Sequence, residues 1–325
     1  MGITGKNALV VGGAGFIGSW IVEKMATYEP EKIIVIDNLF LGKEENLDEA
    51  KKHLGNRLKF FKCDATNYDM LKEILWREGP IDVVFNTAVK PLLVSFVDPV
   101  DVFRTSSEIV LNLLELQRKG YFDVLIHFSS SEAYGSAQYV PMDEKHALNP
   151  TTPYGAAKAA TDLLALSYFI TFGNDVRIIR PFNNYGPRQN EKTYAGVIPT
   201  TIKRILSGQP PIIFGDGEQT RDFTYVEDTA EACIKVYETA GMRGKTINFG
   251  SGREVSINEL IRTISEIMHY QGKAIYEKPR IADVRRHRAD VKTARDLLGF
   301  AAKISLEEGL RRTIEWYKNK TVGQK

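Results

Sequence analysis

At 325 residues, 43% hydrophobic and 26% charged, the chain has the size and composition of one large soluble domain or two ordinary ones. Forty-three basic side chains nearly cancel 41 acidic ones, and a net charge of +2 gives no electrostatic reason to expect nucleic acid or a charged membrane surface as partner. The two cysteines, Cys63 and Cys233, stand far apart outside any CxxC or Cys/His array, which argues against a disulfide framework or zinc site and suits a reducing cytoplasm. No apolar run is long enough to span a membrane, and MGITGKNALVVGG lacks the apolar core of a secretory signal, so a cytoplasmic protein is expected.

In chain order, the first strand is expected at NALVV (7–11). The stretch VVGGAGFIGSW then brings Gly12, Gly15 and Gly18 at three-residue spacing into the start of a helix. Strand, turn and helix in that order are the context in which such glycines hold a dinucleotide. The first permits a tight turn, the second lets a pyrophosphate approach the backbone, and the third lets helix and strand pack closely. The phosphates then face the helix N-terminus, with its free N–H groups and positive dipole end, beside Phe16 and Ile17.

The second strand, KIIVI (32–36), runs into Asp37 and Asn38, with Asp37 22 residues after Gly15. A carboxylate there accepts hydrogen bonds from a ribose 2′-hydroxyl and repels a 2′-phosphate, so NAD is expected rather than NADP. After the third strand, LKFF (58–61), Asp64 and Ala65 are expected near the adenine. After the fourth, VVF (83–85), the NTAVK stretch with Ala88 and Lys90 is expected to line the same groove.

The runs VLIHF (124–128) and VRIIR (176–180) read as further strands, and FIGSWIVEKMA, YDMLKEILWR and EIVLNLLELQR carry apolar residues at helical spacing between the strands. Apolar strands alternating with helices imply a parallel sheet covered on both faces: an α/β fold, Rossmann-type and doubly wound. Residues 1–182 are expected to form the nucleotide-binding domain and 183–325 a smaller C-terminal substrate-binding lobe. A segment at about 225–250 is free to return to the large domain.

Just beyond the fifth strand, SSSEAYG sets Ser130, Ser131 and Glu132 where ligands bind in open α/β sheets. Further on, NPTTPYGAAKAATD places Tyr154 and Lys158 four residues apart, on one face of a helix expected to begin near Tyr154. A free tyrosine, with a pKa of about 10, is a poor base at neutral pH. A nearby ammonium and a positively charged nicotinamide favour the phenolate and are expected to lower that value. The pair then takes a proton from an alcohol while hydride leaves. The bland alternative is an idle pair on a helix surface.

Taken together, GGAGFIG, Asp64, SSSEAYG, YGAAK, RPFNNYGPRQ, GDGEQTRDFTYVED and RADVKTARDLLGF resemble the NAD-dependent epimerase/dehydratases, extended short-chain dehydrogenase/reductases that act on nucleotide sugars. The resemblance implies NAD held tightly in its oxidised form between turnovers, a nucleotide-diphosphate-sugar substrate, and a homodimer paired through helices near 100–118 and 154–171. It implies that Ser130 hydrogen-bonds the sugar 4-hydroxyl beside Tyr154, that Lys158 holds the nicotinamide ribose, and that Asn183 binds substrate. Arg221 and Arg280 become candidates for the diphosphate, whose oxygens match a guanidinium fork. For Arg280 a surface salt bridge is the alternative.

Two positions depart from the family pattern. Ser106, in TSSEIV, stands where the family often has asparagine. Lys90 lies in a loop where galactose epimerases carry a lysine touching the nicotinamide ribose, and where dehydratases often have an acidic or neutral residue.

Members of the family begin alike, with hydride leaving carbon-4 of the sugar. A 4-epimerase then needs only to turn the keto sugar and return hydride to its other face. A 4,6-dehydratase must also remove the carbon-5 proton, which takes a base within about 3 Å of it. Glu132 is suited to that work, because burial beside a sugar raises a carboxyl toward the useful range. Ser130-Ser131-Glu132 resembles the hydroxyl-Ser-Glu arrangement of GDP-mannose dehydratases, so a 4,6-dehydratase is the expectation and a UDP-sugar 4-epimerase the alternative. A UDP-glucuronate decarboxylase, with a similar triplet, comes third. From a different class, a non-catalytic nucleotide-binding protein has no need of Ser130, Tyr154 and Lys158 together. The five histidines, His53, His127, His146, His269 and His287, form no ligand spacing, and no metal is expected.

Overall fold

The computed structural model describes residues 2–191, 195–280 and 282–322. Residues 192–194 lie outside the described residues.

A seven-stranded parallel sheet is built from β1 (Asn7–Val11), β2 (Lys32–Asp37), β3 (Leu58–Lys62), β4 (Ile81–Asn86), β5 (Phe122–Phe128), β6 (Asp175–Pro181) and β11 (Thr246–Phe249), in the order β11-β6-β5-β4-β1-β2-β3. Its strands read as apolar runs because both faces are covered. Ala8, Val10, Ile33 and Val35 enter one buried layer, and Leu9, Val11, Ile34 and Ile36 the other. The first layer lies under α1 (Phe16–Ala26), α2 (Asp48–Leu54) and α7 (Val226–Glu238), and the second under α3 (Tyr68–Glu78), α4 (Pro99–Arg118) and α5 (Pro153–Phe172). Strand β1 pairs with β2 on one side and β4 on the other, with Val11 level with both Ile36 and Asn86. Chain order reverses there, and the crevice beyond such strand ends is where open α/β sheets bind ligands.

After β6 the chain leaves through β7 (Asn183–Tyr185), α6 (Val197–Leu206), β8 (Ile212–Phe214), β9 (Thr220–Arg221) and β10 (Phe223–Tyr225). It returns in α7 and β11, then adds β12 (Val255–Ser256), α8 (Ile257–Ile267), β13 (Ile275–Glu277), α9 (Lys292–Leu298) and α10 (Leu306–Val322). The smaller lobe has its own core, including Tyr185, Ile202, Tyr225, Leu260, Ile264 and Leu310. The return is longer than the stretch at 225–250, since Ala294, Leu298 and Phe300 also enter the first layer of the large domain. Among the described residues no helix is long and apolar enough to cross a membrane.

Local signals set the ends of α5, the helix that carries Tyr154 and Lys158. Thr152 caps its N-terminus by accepting from the Gly155 N–H at 3.0 Å, Pro153 opens it, and Gly173, in the left-handed region at φ 73°, ends it. A side chain at Gly155 would collide with the Glu132 carbonyl oxygen, 2.4 Å from its Cβ position. That contact seats the serine-rich loop directly on the helix start.

Candidate active site

The residues expected around the nucleotide come together. Gly12, Gly15, Phe16, Ile17, Gly18, Asp37, Asn38, Asp64, Ala65, Ala88 and Lys90 all line one cleft of about 290 Å³. At Gly18 a Cβ would lie 2.3 Å from the Gly12 carbonyl oxygen, so only glycine lets α1 approach the loop this closely. No side chain caps α1, and its first turn holds no acidic residue, which leaves backbone N–H groups and the positive dipole end open to an anion. The Asp37 carboxylate accepts from the Ala14 N–H at 3.0 Å and the Leu39 N–H at 2.8 Å, so it braces the glycine loop and keeps lone pairs for a ribose. Burial pushes Asp37 up, and its hydrogen bonds oppose that. These features fit NAD.

Lys90 lines the cleft but is ion-paired with Asp101, its ammonium 5.5 Å from the centre of the Phe40 ring. Asp64 is held low by the Thr66 N–H and hydroxyl and by Asn38, against its burial.

Tyr154, Lys158 and Ser130 are not in the lining of this cleft. They pack where the loop after β5 meets α5. The Lys158 ammonium lies 6.0 Å from the Tyr154 ring centre while donating to the Phe128 carbonyl at 2.7 Å, and Ser130 is the neighbour that favours the ionised Tyr154 phenol. Without the cofactor the Tyr154 phenol is pushed up: burial dominates, the Glu132 and Asp162 charges add to it, and only the neighbouring Ser130 hydroxyl opposes. Lys158 is buried, which lowers its ammonium to about 8 with Asp162 opposing, and one of its three N–H groups donates to a backbone carbonyl. At neutral pH that ammonium keeps its charge beside the phenol, and oxidised nicotinamide would add positive charge and a hydride acceptor when bound.

A second cleft, of about 440 Å³, is lined by Glu132, Thr152, Asn183, Arg221 and Arg280, with an apolar wall of Leu92, Leu93 and Phe96. Pro91, Gln189 and Gly196 line both clefts, so the two share a wall. Burial pushes the Glu132 carboxyl up, Arg221 opposes that and Asp283 adds to it. Arg221 donates to the Val284 carbonyl at 2.7 Å and pairs with Asp283, and the Arg280 guanidinium stacks 4.0 Å from the Phe214 ring centre. Ser131 turns away, its hydroxyl 3.4 Å from His287 Nδ1. The Asn183 amide nitrogen and the Gln189 and Gln219 amide oxygens are buried without partners among the described residues, as expected of groups that meet a ligand. Ser106, the departure from the family's asparagine, is buried with its hydroxyl likewise unpartnered. Among the described residues no acidic, histidine and cysteine cluster could hold a metal.

Asp283, Phe214, Gln189 and Arg188 were not singled out from the sequence. Asp283 lies in an irregular segment, and Phe214 ends the three-residue strand β8, too short to show a period. Gln189 and Arg188 sit inside the quoted motif RPFNNYGPRQ, whose turn-rich character marks a loop but not what its side chains face.

The family model described as GDP-mannose 4,6 dehydratase matches residues 9–313. A UDP-glucose 4-epimerase of Mycolicibacterium smegmatis is 32% identical over 97% of this chain and 99% of its own length. The crystal structure of a UDP-glucose 4-epimerase from Thermotoga maritima, with UDP-glucose, superposes with a TM-score of 0.90 at 34% identity, over 97% of this chain and 99% of that one. That of a dTDP-glucose 4,6-dehydratase from Streptomyces venezuelae, with NAD bound, gives 0.91 at 27% identity, over 98% of each chain. Proteins named as decarboxylases of UDP-glucuronic acid also match over nearly the whole chain. On a match of this extent, with the glycine loop and the Tyr154–Lys158 helix in place, the chain belongs to the NAD-dependent epimerase/dehydratase family, the extended short-chain dehydrogenase/reductases, enzymes that act on nucleotide sugars.

Proposed function

We propose that this enzyme is an NAD-dependent 4-epimerase of a UDP-linked hexose. The observation that carries the redox chemistry is the placement of Tyr154 and Lys158 one turn apart at the start of α5, packed against the loop of Ser130 and Glu132 and set beside two clefts that share a wall. The choice of epimerisation rests on the full-length likeness to proteins named UDP-glucose 4-epimerase. In this reading Ser130 holds the sugar 4-hydroxyl and Tyr154 takes its proton as hydride leaves carbon-4 for NAD. The keto sugar then turns, hydride returns to the opposite face, and Tyr154 gives the proton back. Lys158 steadies the phenolate, and Arg221 and Arg280 bind the diphosphate. Asn183 meets the substrate with its unpartnered amide.

A second reading, 4,6-dehydration, is favoured by the raised carboxyl of Glu132 in the sugar cleft. Glu132→Gln separates the two. An epimerase has no proton for Glu132 to move, so turnover should stay within about tenfold of the parent. Loss of general-base catalysis costs about 10²- to 10⁴-fold, and a fall of that size would transfer the assignment to dehydration.

A homodimer is part of the proposal. Val100, Phe103 and Leu111 on α4 and Leu163, Ile170 and Phe172 on α5 are large, apolar and exposed, and α4 packs beside α5. Leu163 and Ile170, seven residues apart, share a helical face. Sedimentation should give a dimer for the parent and a monomer for Leu163→Glu/Ile170→Glu, and a parent that sediments as a monomer contradicts the assignment.

A further inference from the structure

We propose that Arg188 is a direct ligand of the cofactor's pyrophosphate and thereby clasps the substrate lobe to the nucleotide helix. After β7 the chain crosses back to the first two turns of α1. There the Trp20 indole N–H donates to the Pro187 carbonyl at 3.1 Å. The Arg188 guanidinium lies 4.7 Å from the Trp20 ring centre, its Nη1 is 3.5 Å from the Ser19 hydroxyl, and its Nη2 pairs with Glu23. The side chain is only 12% exposed and lines the cleft that Gly15 and Gly18 line. A chain segment that leaves the sheet for the other lobe thus returns a guanidinium to the helix end where phosphate docks.

Charge balance points the same way. A pyrophosphate carries two negative charges, and a helix N-terminus offers the equivalent of about half a positive one. The charged side chains lining the cleft are Asp37, Asp64, Lys90 and Arg188, and Lys90 is already paired with Asp101. A guanidinium fork suits phosphate oxygens, and Glu23 keeps this one in place until they arrive. The backbone at Arg188 adopts φ 70°, the left-handed region that residues other than glycine and asparagine seldom enter. Glycine would make that turn without strain, so the position's use lies in its side chain.

The inference does not depend on which reaction the enzyme performs, and its test uses no sugar substrate. The whole protein, stripped of nucleotide, is titrated calorimetrically with NAD, ADP-ribose and adenosine. The parent is compared with Arg188→Ala, Arg188→Lys and Glu23→Gln. Removing a charge-assisted hydrogen bond should weaken NAD and ADP-ribose about ten- to hundredfold in Arg188→Ala. Adenosine, which has no phosphate, should bind unchanged. Arg188→Lys should fall between, and Glu23→Gln should bind NAD at least as tightly as the parent. Parent-like NAD affinity in Arg188→Ala overturns the proposal. So does an equal loss for adenosine, which would mean a disturbed cleft, or a loss in Glu23→Gln matching Arg188→Ala, which would mean that the ion pair itself is what matters.

Discussion

Tyr154→Phe is expected to lower turnover by about 10²- to 10⁴-fold, the usual cost of removing a general acid–base group, while the purified protein still carries NAD. Both halves follow from where the residue sits. Its phenol is favoured as the anion by the neighbouring Ser130, yet Tyr154 is absent from the lining of the nucleotide cleft. Deleting one oxygen therefore removes the base and leaves the glycine loop, Asp37 and Asp64 untouched. The pH profile should move as well. Because Ser130 is the neighbour that lowers the phenol against burial, Ser130→Ala should raise the pH at which activity appears. Turnover that persists in Tyr154→Phe would remove Tyr154 from the chemistry.

Lys158→Met should produce opposite effects on activity and stability. Activity should fall by about 10²-fold or more, the cost of losing a charge fixed beside the reacting group. The cofactor-free protein should nevertheless be more stable at pH 7. Burial lowers the Lys158 ammonium from 10.5 to about 8, so between those values the unfolded chain binds more protons than the folded one. Stability of the parent therefore rises as pH climbs from about 8 to 10.5, and at neutral pH the buried charge is a cost. At about 1.4 kcal/mol per pH unit, less about 1 kcal/mol for the lost hydrogen bond to the Phe128 carbonyl, the gain in Lys158→Met is on the order of 2 kcal/mol. It should shrink as pH rises through that window. Urea denaturation at pH 7 and pH 10 measures it. Equal stabilities at both would mean that the ammonium is not paying a burial cost.

The parts of the site legible in the sequence are those made by local pattern. Gly12, Gly15, Gly18 and Asp37 follow from strand, turn and helix in order, and Tyr154 and Lys158 from residues four apart on one helix. Strand positions were legible too, because a sheet covered on both faces needs apolar runs such as KIIVI. What could not be read was set by distant parts of the chain meeting. The rise of the Tyr154 phenol comes from burial under the assembled loop and helix. Asp283 beside Arg221, and Phe214 beneath Arg280, depend on how the second lobe folds. Lys90 was expected to line the nucleotide groove, and its ion pair with Asp101, across from it at the start of α4, has no local signal in the sequence. The entry of α9 into the large core has no local signature, since one helix face looks alike whichever layer it covers.

The central claim is epimerisation at carbon-4, and proton NMR of the purified enzyme in deuterated water, with UDP-glucose and UDP-N-acetylglucosamine supplied in turn, tests it most directly. The account predicts inversion at carbon-4 with no deuterium at carbon-4 or carbon-5, because the hydride never exchanges with solvent and no proton is removed from carbon. A new methyl signal with deuterium at carbon-5 would contradict it and establish dehydration.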